Sequence, residues 1–195
     1  MFLSTEPQRP RVNFLPQAQC LFIPSYRSIR KRKIGLERNL LAAQGNLSNT
    51  YCRIGRREDA LLLKRDVYFG TVKLLGEEHS ETLVEAGNYA VSLLDLKRYE
   101  EAKLLMRKIM PVTRRVLGES HEITLRNGTI YAAALNNDPS ATLNDLREAV
   151  TMLEELEPYA RRVLGGAHPV ARSIGTSLRA ARAALRARET PASSA

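Results

Sequence analysis

Between residues 80 and 117 the apolar positions fall into two stripes, each with the period of an α-helix. Leu83, Ala86, Ala90, Leu93 and Leu94 form the first, separated mostly by three or four residues. Lys97-Arg98 interrupts the pattern. Beyond it Ala102, Leu105, Met106, Ile109 and Val112 form a second stripe, with Lys103, Arg107 and Lys108 expected on the solvated side. Two amphipathic helices joined by so short a break must fold back on one another, and together they predict an antiparallel pair.

The same unit occurs again on either side. Leu75-Gly76-Glu77-Glu78-His79 recurs as Leu117-Gly118-Glu119-Ser120-His121 after 42 residues, and as Leu164-Gly165-Gly166-Ala167-His168 after a further 47. Leu47, Tyr89 and Tyr131 keep the 42-residue step, as do Tyr51, Leu93 and Leu135, and Ser48, Ala90 and Ala132. Ala60, Ala102 and Ala149 step by 42 and then 47, so five residues are inserted between Leu135 and Ala149. Asn136-Asn137-Asp138-Pro139-Ser140, a cluster of turn formers, accounts for the longer loop. Gly76, Gly118 and Gly165 stand where helices should end, and Pro169 suits a first helical position, which places the histidines beside N-caps. The pattern predicts helices over residues 36–54, 57–75, 80–96, 98–117, 122–136, 142–164 and 169–188. One pair cannot bury its apolar face alone, whereas stacked pairs share a continuous core.

Two stretches carry a family resemblance. Asn88-Tyr89-Ala90 through Lys97-Arg98-Tyr99-Glu100-Glu101-Ala102 resembles the core of tetratricopeptide repeats, in their 42-residue, kinesin light chain-like form. Leu117-Gly118-Glu119-Ser120-His121-Glu122-Ile123-Thr124-Leu125 resembles the connector of the same family. The resemblance covers about residues 36–188. It implies an all-α, right-handed solenoid of antiparallel helix pairs: three tetratricopeptide-type repeats and a C-terminal capping helix. The first unit departs from the pattern, with Lys33-Ile34-Gly35-Leu36-Glu37 in place of the connector, and Lys97 stands where the second unit should have a turn glycine. Arg179 and Arg182 replace the small and apolar residues at Ala132 and Leu135, which marks the last helix as a cap with a solvated outer face.

The resemblance also implies a site. In this family the first helix of each pair lines a concave groove, where an asparagine ahead of the small residues grips a peptide backbone. That position holds Asn46 and Asn88 here, and Ile130 in the third repeat. An amide both donates and accepts, so it matches a peptide group without selecting a sequence. Asn49, Arg53, Val91 and Asp95 should face the same groove, with Arg126, Ala133 and Asn137 continuing it. The alternative for Asn46 and Asn88 is that they bond only to neighbouring helices. The implied function is an adaptor that takes a protein or peptide partner, with Arg53, Asp95 and Arg126 selecting among partners.

Charge and composition narrow the other readings. The net charge is +9. Residues 1–34 carry seven basic residues against Glu6 alone, and residues 172–195 five arginines against Glu189, which leaves −1 for residues 35–171. A nucleic-acid-binding domain would carry its basic stripe on the folded surface, so nucleic acid is disfavoured as a partner. The runner-up function is an electrostatic binder of nucleic acid or acidic partners through these basic ends. No apolar run reaches the length of a membrane span, and no membrane partner is expected. Cys20 and Cys52 form neither a CxxC motif nor a Cys/His cluster, and a reducing, cytoplasmic setting is the default. Arg27-Ser28-Ile29-Arg30-Lys31-Arg32-Lys33 leaves nuclear or organellar addresses open.

The histidines sit in successive repeats, roughly 16–20 Å apart for two packed helix layers, too far to share a metal. Neighbouring carboxylates such as Glu77-Glu78 diverge around a helix and do not form a catalytic pair. Neither catalysis, metal nor cofactor is expected. The domain reading is a disordered basic segment over 1–34, the repeat domain over 35–188 and a disordered tail over 189–195.

Overall fold

The computed structural model describes the backbone of residues 16–190 and the side chains of residues 31–190. Seven helices follow in order: α1 (Pro16–Arg53), α2 (Arg57–Leu75), α3 (Ser80–Asp95), α4 (Tyr99–Leu117), α5 (Glu122–Asn136), α6 (Leu143–Leu164) and α7 (Pro169–Glu189). No strand occurs among the described residues. Every helix from α2 onward lies within two residues of its expected bounds. Residues 16–34, expected to lack regular structure, are helical instead and form the first part of α1. The apolar period by which the sequence located helices is missing ahead of Gly35, whereas a proline at a first helical position gives up no hydrogen bond. The remaining flanks, 1–15 and 191–195, lie outside the described residues.

By packing, the chain divides into Met1–Glu37 and Arg38–Ala195. In the second unit each helix from α2 to α7 packs on the next, and α5 also meets both α3 and α7. The first helices of successive repeats therefore touch along one side of the stack. The outer helices α4 and α6 both pack on α5 and meet each other through side chains such as Arg114 and Glu155, 3.2 Å apart. This is an all-α solenoid.

The core follows the expected stripes. Leu83, Ala86, Ala90 and Leu93 of α3, and Ala102, Met106 and Ile109 of α4, are buried. They continue into Leu125, Tyr131 and Leu135 of α5, then Leu153 and Leu156 of α6, and end on Ile174 and Leu178 of α7. The α7 arginines face outward as a cap requires, and Arg182 pairs with Glu154 of α6 at 2.7 Å.

One residue of the expected solvated face turns inward. Lys103 has a side chain only 13% exposed, held between Glu100 at 2.5 Å and Asp145 of α6 at 3.6 Å. Asp145 also closes the capping box of α6: its carboxylate accepts from the Thr142 N–H, and its own backbone N–H donates to the Thr142 hydroxyl. Burial pushes the Asp145 carboxyl up, but the Thr142 N–H and hydroxyl, with Lys103, hold it below the ordinary carboxylate value. Helical phase alone placed Lys103 in water; the following pair covers it.

The connectors between repeats use one device three times. Gly76, Gly118 and Gly165 end their helices at φ 94°, 84° and 82°. His79, His121 and His168 follow as N-caps, each Nδ1 accepting the backbone N–H two residues on, at 3.2, 3.2 and 3.3 Å. In the first two connectors a buried threonine completes the turn: the hydroxyls of Thr82 and Thr124 donate to the carbonyls of Gly76 and Gly118, both at 2.7 Å. The third has Ala171 at that position.

Candidate peptide-binding groove

The candidate groove residues all lie on or just beyond α1, α3 and α5. Asn46, Asn49 and Arg53 of α1 are exposed, as are Asp95 at the end of α3 and Asn137 just past α5. Asn88 and Val91 of α3 and Arg126 of α5 are half-buried. The structure brings two of them together. The Asn88 amide donates to Glu85 at 3.1 Å and accepts from the Arg126 guanidinium at 2.7 Å. Glu85, Asn88 and Arg126 thus form one polar chain across the α3–α5 contact. The Asn88 amide is thus bonded at both its nitrogen and its oxygen, to its own helix and to α5. Asn137 accepts a long bond from Asn136 at 3.4 Å. The remaining candidates are not drawn into this network.

Ile130 belongs elsewhere. It is buried within the main core, which draws side chains from α3 to α7. The expectation that Ile130 lines the groove is therefore corrected. An isoleucine at this register turns into the gap between successive inner helices, because Gly87 of α3 offers no side chain there. A Cβ on Gly87 would lie 3.5 Å from the Ile130 terminal carbon and would strike the Asn127 amide.

Asn127 is the residue that sequence reasoning missed. It is fully buried, donates its amide to the Leu83 carbonyl at 3.0 Å, and ties α5 to α3. Its own carbonyl oxygen finds no partner. A signal existed: Asn127 sits among the buried positions Thr124, Gly128 and Tyr131, where a polar residue must be bonded. Glu85, the acidic end of the chain of bonds, occupies the same register 42 residues earlier. A cavity of about 660 Å³ lies away from these residues, between Arg114 and Glu119 at the end of α4 and Glu154, Glu155, Pro158, Tyr159 and Arg162 of α6.

The geometry of recurring pairs, glycine-ended outer helices and histidine caps is matched in sequence. The tetratricopeptide repeat family profile aligns with residues 40–81 and 86–122. Both segments are similar to tetratricopeptide repeats. The second profile match ends at the first helical residue of α5, and α5 to α7 continue the same architecture. No curated protein matches the chain in sequence. The tetratricopeptide fold is found in crystal structures of kinesin light chain-type, nearly identical TPR-like repeats from Podosopora anserina. One superposes with a TM-score of 0.61 and 23% identity over 76% of this chain and 68% of that one. A single-residue variant of it gives 0.63 at the same identity and coverage. The stack therefore shares its fold with those kinesin light chain-type repeats. Among the described residues no helix is long and apolar enough to cross a membrane.

Proposed function

We propose that the stack is an adaptor that captures a peptide or helix of a partner protein along its inner helices, working by binding and not by catalysis. The observation that carries this reading is the Glu85–Asn88–Arg126 chain on the half-buried faces of α3 and α5. It holds an acceptor, an amide and a guanidinium together, the set needed to meet a peptide backbone and an acidic side chain. Asn46 and Asn49 extend the same face onto α1 with uncommitted exposed amides, and Arg53 and Asp95 flank it with opposite charges. Residues 35–188 do this work, with 1–34 and 189–195 as flanks, in the cytoplasm.

Removing Asn46 and Asn88 together, each to alanine, deletes two amides that a bound backbone would use, each worth about 0.5–1.5 kcal/mol. The expected outcome is capture of partner protein from native lysate weakened about tenfold or more, with helicity and melting nearly unchanged. Adding Arg126→Ala should weaken it further. Unaltered capture by the triple variant would remove the groove from consideration. Capture lost instead on deleting residues 1–34, and fading steeply with salt, would assign binding to the basic flank.

A further inference from the structure

The last helix carries charge where the earlier repeats carry core. Leu83, Ala90 and Leu93 of α3 are buried, packed with Ile109, Met106 and Ala102 of α4. One repeat on, Leu125, Ala132 and Leu135 of α5 are buried with Leu153 and Leu156 of α6. In both repeats this is the face that the second helix of the pair covers. In the same register α7 has Arg172, Arg179 and Arg182, all exposed. Among the described residues no helix covers that face.

Arg182 is taken up by Glu154 of α6 at 2.7 Å. Arg172 and Arg179, with Arg186 a further seven residues on, have no carboxylate partner among the described residues. On α4, by contrast, Lys103, Arg107, Lys108, Arg114 and Arg115 each pair with a carboxylate. Arg179 reaches only the Thr176 hydroxyl of its own helix, 3.2 Å away. Seven residues are close to two turns, so the three arginines stand in one row with about 10 Å between neighbours. Gly175, Thr176 and Ala183 lie along the row between them, and the helix has no acidic residue before Glu189. Shape and charge together define the occupant. The register is that of a helix seat, its small residues allow close approach, and guanidinium groups take carboxylates in bidentate bonds. A membrane is disfavoured, because the apolar side of α7, with Ile174 and Leu178, is buried in the stack. The helix has no aromatic residue on which single-stranded nucleic acid could stack. Residues 191–195 hold no acid and residues 1–15 only Glu6, so the flanks of this chain do not supply the charge.

We propose that this face docks an acidic helix of a partner protein, with carboxylates at seven-residue spacing, seated as α4 and α6 are in the earlier pairs. None of its residues is a groove candidate, so the groove reading neither requires it nor falls with it. The probe is a fluorescent, alanine-based peptide of about 20 residues with glutamate at every seventh position, helical in the cold. Its anisotropy, titrated with the full chain at about 50 mM salt, should show saturable binding with a dissociation constant below about 1 mM. Replacing its glutamates by glutamine should abolish binding. Arg172→Gln combined with Arg179→Gln should weaken it about tenfold or more. Arg115→Gln, at an exposed arginine of α4 paired with Glu78, should leave it unchanged. Absence of binding up to about 1 mM overturns the proposal. So does equal binding of the glutamine peptide, or of one with its glutamates in a single block. Tighter binding of an RNA oligonucleotide or a phosphatidylserine vesicle, lost with the same two substitutions, also overturns it and makes the row a polyanion site.

Discussion

Lys97 has φ 60°, the only positive-φ residue other than glycine among those described. It occupies the register of Gly55, which has φ 82°. Both end a helix in the same way. The N–H of Arg98 bonds the Leu93 carbonyl and that of Lys97 the Leu94 carbonyl; the N–H groups of Arg56 and Gly55 bond Tyr51 and Cys52 likewise. An L-residue in this conformation costs about 1–2 kcal/mol, partly offset by the smaller chain entropy it has to lose compared with glycine. Lys97→Gly should therefore stabilise the stack by about 0.5–1 kcal/mol, raising the melting temperature by about 2 °C. A lower melting temperature would mean that the lysine side chain contributes more than its backbone strain costs.

At the scale of one helix against the next, α4 tests the difference between phase and packing. Ala102 is fully buried against Leu61 of α2, Leu93 of α3 and Ala134 of α5. Leucine there overpacks a close contact and should cost about 1–3 kcal/mol. Helical phase places its neighbour Lys103 in solvent, yet it is the cation beside the buried Asp145 of α6. Lys103→Leu should cost about 1–2 kcal/mol by leaving that carboxylate without its charged partner. Lys108→Leu serves as comparison, since Lys108 is exposed and pairs only across the surface with Glu77; it should change stability by less than about 0.5 kcal/mol. Urea unfolding of the three variants checks the ranking, and equal loss from both lysine changes would contradict the Lys103–Asp145 contact.

Across the whole stack, stability is the sum of repeats and the interfaces between them. One polar contact spans three helices. The Tyr131 hydroxyl of α5 donates to Glu148 of α6 at 2.6 Å and accepts from Arg107 of α4 at 3.1 Å. Burial, reinforced by the Glu148 carboxylate and opposed by Arg107, pushes the Tyr131 phenol up to about 12. Because the folded value exceeds the unfolded value near 10, the folded state holds this proton more tightly. Its contribution is complete below about pH 10 and is lost as pH rises through about 12. Stability should therefore fall across that window by about 2 kcal/mol more in the native chain than in Tyr131→Phe, read from melting curves at pH 9 and at about pH 12. Parallel pH profiles for the two proteins would show that Tyr131 does not couple the three helices.

What the sequence determined by itself was local and periodic. Apolar residues at three- and four-residue steps set each helix from α2 to α7, and the Leu-Gly…His connectors set their ends. Glycine at positive φ and histidine as N-cap act within a few residues and depend on no distant neighbour. The candidate groove was legible to the extent that Asn46, Asn49, Arg53, Asp95 and Asn137 are exposed, which follows from helical phase. Only the tertiary structure decided which faces meet other helices. Phase could not show that Ile130 would fill the gap left by Gly87, that Arg126 would reach Asn88 across 38 residues of sequence, or that Asp145 would draw Lys103 out of water. Each of these depends on how one repeat is set against the next, a relation fixed by contacts between side chains far apart in the chain and absent from the period of any single helix.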